Sequence, residues 1–487
     1  VFQQFPFGLH AQSLRDNIWV MGTVGEGSLL DFSADPIELS LISTSMGHNA
    51  ANTSICDTLG NLLFYTNGAY VASADHQPMW NGYDLDIGMF LISGGGWGPN
   101  TPQFVMALPM PNSSSLYYLF YKALDVVDVG VLTSRFYYSI IDMSKNQGKG
   151  MVIEKNHLVL EGVYLDWGKI TACSHANGRD WWIMLGESDS RRFYKFLLSA
   201  DGLINLGEIE VDLSVRLGLG NAVYSPNGEK YVILNLLGEQ LGNDLDIFDF
   251  DRCEGKLMNQ QKINYNDAAY FGGVAFSPNS RFLYVSSMNY LYQFDMEASD
   301  ILASKDTIGI YDGFVSPLST NFFLAQLAPD GKIYLCAANG ADVLHVINKP
   351  DEKGAACDFV QHGLQLPTQT AFSIPSFPYF NLGALPGSPC DTLGVSAVKE
   401  EGQRARVEMS PNPASEWLSV RYELGITGKV DLLLYDAGGS LVLEESLTKG
   451  SASTTIPIGH LPNGIYYCKI LENEKTVHAV EKIAILR

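Results

Sequence analysis

Residues 276–287 read FSPNSRFLYVSS: the end of one short strand, a tight Ser-Pro-Asn-Ser turn, and an alternating strand that ends in small residues. Pro presets φ at the second position of a turn, and Asn and Ser bond back to nearby backbone. RFLYVSS is rich in β-formers. The same shape recurs as YSPNGEKYVIL at 224–234, LAPDGKIYLCA at 327–337 and HANGRDWWIML at 175–185. Weaker copies are CDTLGNLLFYTNG at 56–68, whose Asn-Gly is a strong hairpin signal, and PNSSSLYYLFY at 111–121. The turn residues Asp16, Gly60, Ser114, Gly178, Gly228, Ser280 and Gly331 make seven anchors, the last four about 50 residues apart. Stretches 136–142, 193–198, 245–250, 291–295 and 343–347 supply a further strand per unit. Four strands at this period match propeller blades.

The first anchor has no strand before it, and AFSIPSFPYF at 371–380 has no unit after it. The economical solution is that the two ends share one blade, which removes the edges of an open array. The expected fold is all-β: a seven-bladed propeller over 1–385, with the N-terminal strands completing the last blade. A Gly/Pro-rich and then charged linker follows over 386–406. Short alternating strands over 407–487 read as a small immunoglobulin-like sandwich.

The chain has 487 residues, 46% hydrophobic, 17% charged and 11% aromatic, with 47 glycines. That composition is globular and favours many short strands. The formal net charge of −22 argues against nucleic acid, whose binders present basic patches. No apolar run is long enough to cross a bilayer. The first residue is Val1 rather than Met, so the expectation is that an upstream signal has been removed. The seven cysteines form no CxxC pair, which disfavours zinc. A disulfide such as Cys357–Cys390 is conceivable in an oxidising compartment, but connectivity stays open.

The C-terminal region holds SPNPA at 410–414, LLLYDAGG at 432–439, LPNGIYY at 461–467 and EKIAI at 481–485. In this order the four motifs closely resemble the type A sorting domain of type IX secretion substrates in Bacteroidota. The residues that carry the likeness are Pro411, Asn412, Pro413, Gly438, Gly439, Asn463, Gly464, Tyr466 and Lys482. The resemblance implies export by the type IX machinery to the cell surface or the medium. NLLFYTNG at 61–68, ACSHANGRDWW at 172–182, FSP at 276–278 and QHGLQLP at 361–367 resemble the WD40-like and YVTN-type propellers of large secreted Bacteroidota proteins. Their ligands are undefined, so no functional residue is carried over.

Four residues are candidates for a ligand site. Trp97 lies in GGGWGP and Trp80 has Tyr83 nearby; aromatic rings on loops stack on sugars or anchor proteins. His48, with Asn49 and Asn52, and His76 fall in connections that would meet at a channel mouth. The competing reading of these polar residues is turn chemistry, and that of the tryptophans is packing across a blade. Asp244, Asp246, Asp249 and Asp251 form an acidic run that could gather at a strand end, and calcium is the cation such carboxylates would take; no other cofactor is expected. His175 shares its position with Ser225 and Ser277 and reads as a turn residue. No P-loop, dinucleotide fingerprint or nucleophile elbow occurs. The favoured function is a non-enzymatic surface module for adhesion or extracellular assembly, with a protein or glycan partner at the propeller loops. The alternative is a secreted hydrolase or lactonase-like enzyme with a metal at the channel mouth.

Overall fold

The computed structural model describes residues 13–88, 96–127, 130–216, 218–237, 242–391, 406–411, 413–424, 430–436, 441–447, 450–472 and 476–486. The chain divides into two compact units, Val1–Leu393 and Gly394–Arg487.

In the first unit, seven antiparallel sheets follow one another over residues 18–42, 53–73, 105–165, 172–215, 222–264, 272–310 and 322–365. The first two have three strands and the others four. Six sheets open on an inner strand: Thr53–Cys56, Val105–Pro109, Ala172–Ser174, Ala222–Tyr224, Gly272–Phe276 and Phe322–Leu327. A tight turn then leads into the second strand. At equivalent places in these turns Gly60, Gly178, Gly228, Ser280 and Gly331 have φ of +89°, +70°, +72°, +66° and +79°, a region that favours glycine. The repeat therefore marks where the backbone must turn left-handed.

Between the sheets the cores are shared. Phe193 meets Phe248 with ring centroids 5.8 Å apart, joining the fourth sheet to the fifth, and Val232, Leu234, Val274 and Phe276 belong to one buried cluster of the fifth and sixth. The ring closes where Trp19 and Phe32 of the first sheet pack on Tyr334 of the last, at 5.8 and 5.7 Å. This is a seven-bladed β-propeller.

Asp16 lies in the turn Leu14–Asn17, just ahead of the strand Ile18–Gly22. That first sheet thus starts at the position of a second strand. The returning chain occupies the inner place: Phe377 lies 5.9 Å from Trp19, Ser376 N–H donates to Asn52 O, and Thr53 Oγ1 donates to Ser376 O. Beyond it, Arg252 Nη2 donates to Gly383 O at 2.5 Å and Leu385 N–H to Ala176 O. A disulfide joins Cys390 to Cys253 in the fifth sheet, 137 residues away in sequence. Cys357, which sequence left as one conceivable partner of Cys390, is a buried free thiol. Fourth strands such as Met151–Leu165 and Gly202–Val215 fall in the connections after stretches 136–142 and 193–198, where many exposed polar residues mask the alternation.

The second unit is a two-sheet sandwich. Arg406–Ser410, Trp417–Leu424 and Gly450–Pro457 form one sheet; Leu441–Leu447, Val430–Asp436, Gly464–Glu472 and Thr476–Ile485 form the other. Leu418, Val420, Leu432, Leu434, Ile456, Cys468 and Ile483 close its core.

Candidate binding site

The second propeller sheet stops at three strands, Thr53–Cys56, Leu62–Thr66 and Val71–Ser73. The chain beyond it folds back on the third strand, with Ala72 bridged to Pro78, Met79 N–H donating to Val71 O and Val71 N–H to Gly82 O, while Trp80 bridges to Met151 of the third sheet. Three aromatic side chains are left in solvent there. Trp80 is 67% exposed, Tyr83 52% and Trp97 37%. Tyr83 and Trp97 are held from beneath. Tyr83 leans on Tyr70, centroids 5.1 Å apart, and Tyr70 shares a 2.8 Å hydroxyl contact with Ser45. Trp97 lies against Gly47, where a Cβ would come within 2.5 Å of the indole; only glycine leaves room for the ring. Asn67 Nδ2 donates to both Gly47 O and Gly96 O at 2.7 Å, pinning the two segments. Tyr83 and Trp97 thus form an aromatic band whose orientation is set in advance, which lowers the ordering cost of a contact; Trp80 is placed separately, by its bridge to Met151.

The two histidines do not join that surface. His48 is fully buried; its Nδ1–H donates to Asn52 Oδ1 at 3.0 Å, and burial pushes its pKa down to about 4. His76 is half-buried at φ +62°, its pKa also lowered by burial. Their rings lie 5.6 and 5.8 Å from Tyr65, and His48 Nε2 and His76 Nδ1 have no hydrogen-bond partner. They are neutral groups under the band rather than channel-mouth ligands.

The acidic run does not converge on a common point. Asp244 faces Arg216 at 3.6 Å and Asn264 at 3.1 Å. Asp246 is fully buried and accepts from Asn235 and Gln260 at 3.0 and 2.9 Å, with Lys262 at 3.4 Å. Asp249 takes Lys230 at 2.5 Å and Asn259 at 2.6 Å. Asp251 accepts the Cys253 and Glu254 amides of its own turn. Each carboxylate has its own partners, because the strand alternates and the neighbouring strands supply Lys, Arg and Asn opposite. Among the described residues no group of three or more His, Cys, Asp or Glu is placed to hold a metal.

Toward the axis, Asp16, Tyr224, Phe276, Gln326 and Phe377–Tyr379 line a cavity of about 40 Å³, room for a few waters. Burial raises the Asp16 pKa to about 7. A wider groove of about 630 Å³ runs along the seam between the first and last sheets, past Phe32, Ile37, Lys332, Tyr334 and Val360. Neither feature was visible in sequence, since both arise where the two chain ends meet. Tyr83 and Tyr70 were also undervalued; their spacing from Trp80 was the available signal.

In the sandwich, Tyr466 is buried and its hydroxyl donates to Pro462 O at 2.8 Å. Asn463 and Gly464 form the entry to its strand, Lys482 pairs in register with Tyr467, and Pro411 and Pro413 follow the first strand. Asn412, Gly438 and Gly439 lie outside the described residues.

Residues 408–486 match the family model described as a secretion system C-terminal sorting domain. With this domain the chain is a secreted or cell-surface protein handled by the type IX secretion machinery. Among the described residues no helix is long and apolar enough to cross a membrane. No curated protein matches the chain. Solved structures similar to it include a putative 6-phosphogluconolactonase from Bacteroides uniformis at 14% identity, covering 74% of this chain and 100% of that one with a TM-score of 0.41. A functionally unknown protein from Desulfotomaculum acetoxidans has 13% identity, coverages of 74% and 99%, and a TM-score of 0.39. A quinonprotein alcohol dehydrogenase-like protein from Bacteroides thetaiotaomicron has 11% identity, coverages of 74% and 78%, and a TM-score of 0.40. Likenesses this remote do not bear on function.

Proposed function

We propose that the propeller is a non-enzymatic adhesion module that the sorting domain delivers to the cell surface, and that it takes a neutral glycan on the aromatic band. One observation carries this reading: Trp80, Tyr83 and Trp97 stand in solvent, the last two on a firm base of Tyr70, Ser45 and Gly47. Flat apolar faces with polar edges suit sugar rings. The net charge of −22 disfavours anionic polymers by long-range repulsion. The self-paired acidic run and the narrow axial cavity leave the repeated positions to hold the ring.

The test is affinity electrophoresis of the full chain through gels cast with neutral polysaccharides. Retardation is expected, weakened more than tenfold by Trp80→Ala with Trp97→Ala and unchanged by Val360→Asp in the seam groove. Equal retardation of the double variant would refute the assignment. Loss with Val360→Asp alone would move the site to the groove.

A further inference from the structure

The acidic run leaves one arrangement that pairing alone does not explain. Lys169, in the loop that enters the fourth sheet, donates from Nζ to Asn235 Oδ1 at 2.5 Å. Asn235 in turn donates from Nδ2 to Asp246 Oδ2 at 3.0 Å. The three residues are 3%, 0% and 0% exposed. Asn235 and Asp246 lie on one face of neighbouring strands, offset by two positions in register. The carbonyl length of ~1.23 Å bounds the separation of Lys169 Nζ from Asn235 Cγ at about 3.7 Å, close to a near-attack distance.

The loop is fixed for this contact. Lys122 Nζ, itself buried, donates to Asp166 O at 2.8 Å and Gly168 O at 2.5 Å. Lys169 is held at φ +56°, a conformation a lysine seldom adopts and one that persists where surroundings impose it. Asp246 also accepts from Gln260, and Lys262 stands 3.4 Å away, so its carboxylate is oriented on both oxygens.

We propose that Lys169 and Asn235 join in an intramolecular isopeptide bond, with Asp246 as the proton carrier, tying the loop that enters the fourth sheet to the fifth sheet. Burial favours the required protonation states. It lowers the Lys169 pKa and raises that of Asp246, so moving a proton from the ammonium to the carboxylate removes two charges from a dry site. The neutral amine attacks Asn235 Cγ, which becomes tetrahedral, and the negative charge moves onto Oδ1. The Nζ–Cγ bond forms and the Cγ–Nδ2 bond breaks. Asp246 gives a proton to the departing Nδ2 and takes one from Nζ, and ammonia leaves. No oxidant, reductant or cofactor enters the balance.

The bond is read by the intact mass of the purified full chain after reduction of its disulfide. The expected mass is below the calculated value by one ammonia, about 17 Da. Trypsin should release residues 156–179 joined to 231–252 as one branched peptide, uncut at the acylated Lys169. Lys169→Arg restores the full calculated mass. Asp246→Asn, which keeps the side-chain shape, leaves the uncrosslinked species at least tenfold more abundant. A reduced wild-type chain at its full calculated mass, yielding cleavage after Lys169, would overturn the proposal whether or not the variants fold. A crosslink formed at the wild-type level in Asp246→Asn would overturn the role given to Asp246.

Discussion

The second and fifth propeller sheets follow the same kind of turn, at Gly60 and Gly228, but they finish differently. The fifth adds its fourth strand, Lys256–Asn264, and with it Lys262, Gln260, Asn259 and Asn264, which meet the acidic side chains of the third strand. Beyond its third strand the second has, among the described residues, only the short pairing of 77–82 with Val71–Ser73, and the connection leaves Trp80, Tyr83 and Trp97 exposed. A conspicuous run of like charges is thereby absorbed into the scaffold, while an inconspicuous loop is left free to bind. Completion of a sheet satisfies its polar groups; interruption here leaves aromatic side chains in solvent.

Breaking the completed sheet should have the largest effect. Asp246→Ala leaves the Asn235 and Gln260 amide donors without their acceptor and is expected to cost about 2–4 kcal/mol in urea unfolding; a loss under ~1 kcal/mol would mean that those donors do not depend on Asp246. Next comes the staple between that sheet and the tail. Cys253→Ser opens a link across 137 residues and should cost about 2–4 kcal/mol, with the tail becoming the first site of proteolysis.

The layer under the aromatic band should respond to acid. His48 is neutral when folded, with a pKa near 4 because it is buried. The unfolded chain therefore binds its proton first. The His48 contribution is fully present above about pH 6.5 and is lost as pH falls toward 4, an effect of about 2–3 kcal/mol. His48→Gln should flatten that part of the stability–pH curve relative to wild type; identical curves would place His48 elsewhere than in a dry layer. The band itself should matter least for folding. Trp80→Ala is expected to shift stability by no more than about 0.5 kcal/mol, measured by urea unfolding, while weakening glycan binding.

The ring was legible because its turns need left-handed φ at fixed intervals, and Gly60, Gly178, Gly228, Ser280 and Gly331 announce that need residue by residue. The inner place of the first sheet is taken by residues 371–379, the stretch whose lack of a following unit called for a blade shared by both ends. The same path decides the disulfide: Cys253 and Cys390 meet only once the tail has crossed the fifth sheet. Trp80 and Trp97 were identifiable as residue types, but their exposure depends on how the connection after Val71–Ser73 packs. His48 and Asp246 misled for one reason. Polar residues in a local window do not reveal whether a neighbouring sheet will bury them, and Asn235 and Lys169 stand 66 positions apart.

The most direct measurement compares two double variants of the full chain on the same neutral polysaccharide gel. Trp80→Ala with Trp97→Ala removes exposed rings; Asp249→Asn with Asp251→Asn alters the acidic run at its more exposed end. The prediction is that the first loses more than tenfold in affinity with its thermal midpoint nearly unchanged, while the second binds as wild type. Retained binding by the tryptophan variant together with loss in the aspartate variant would contradict the account.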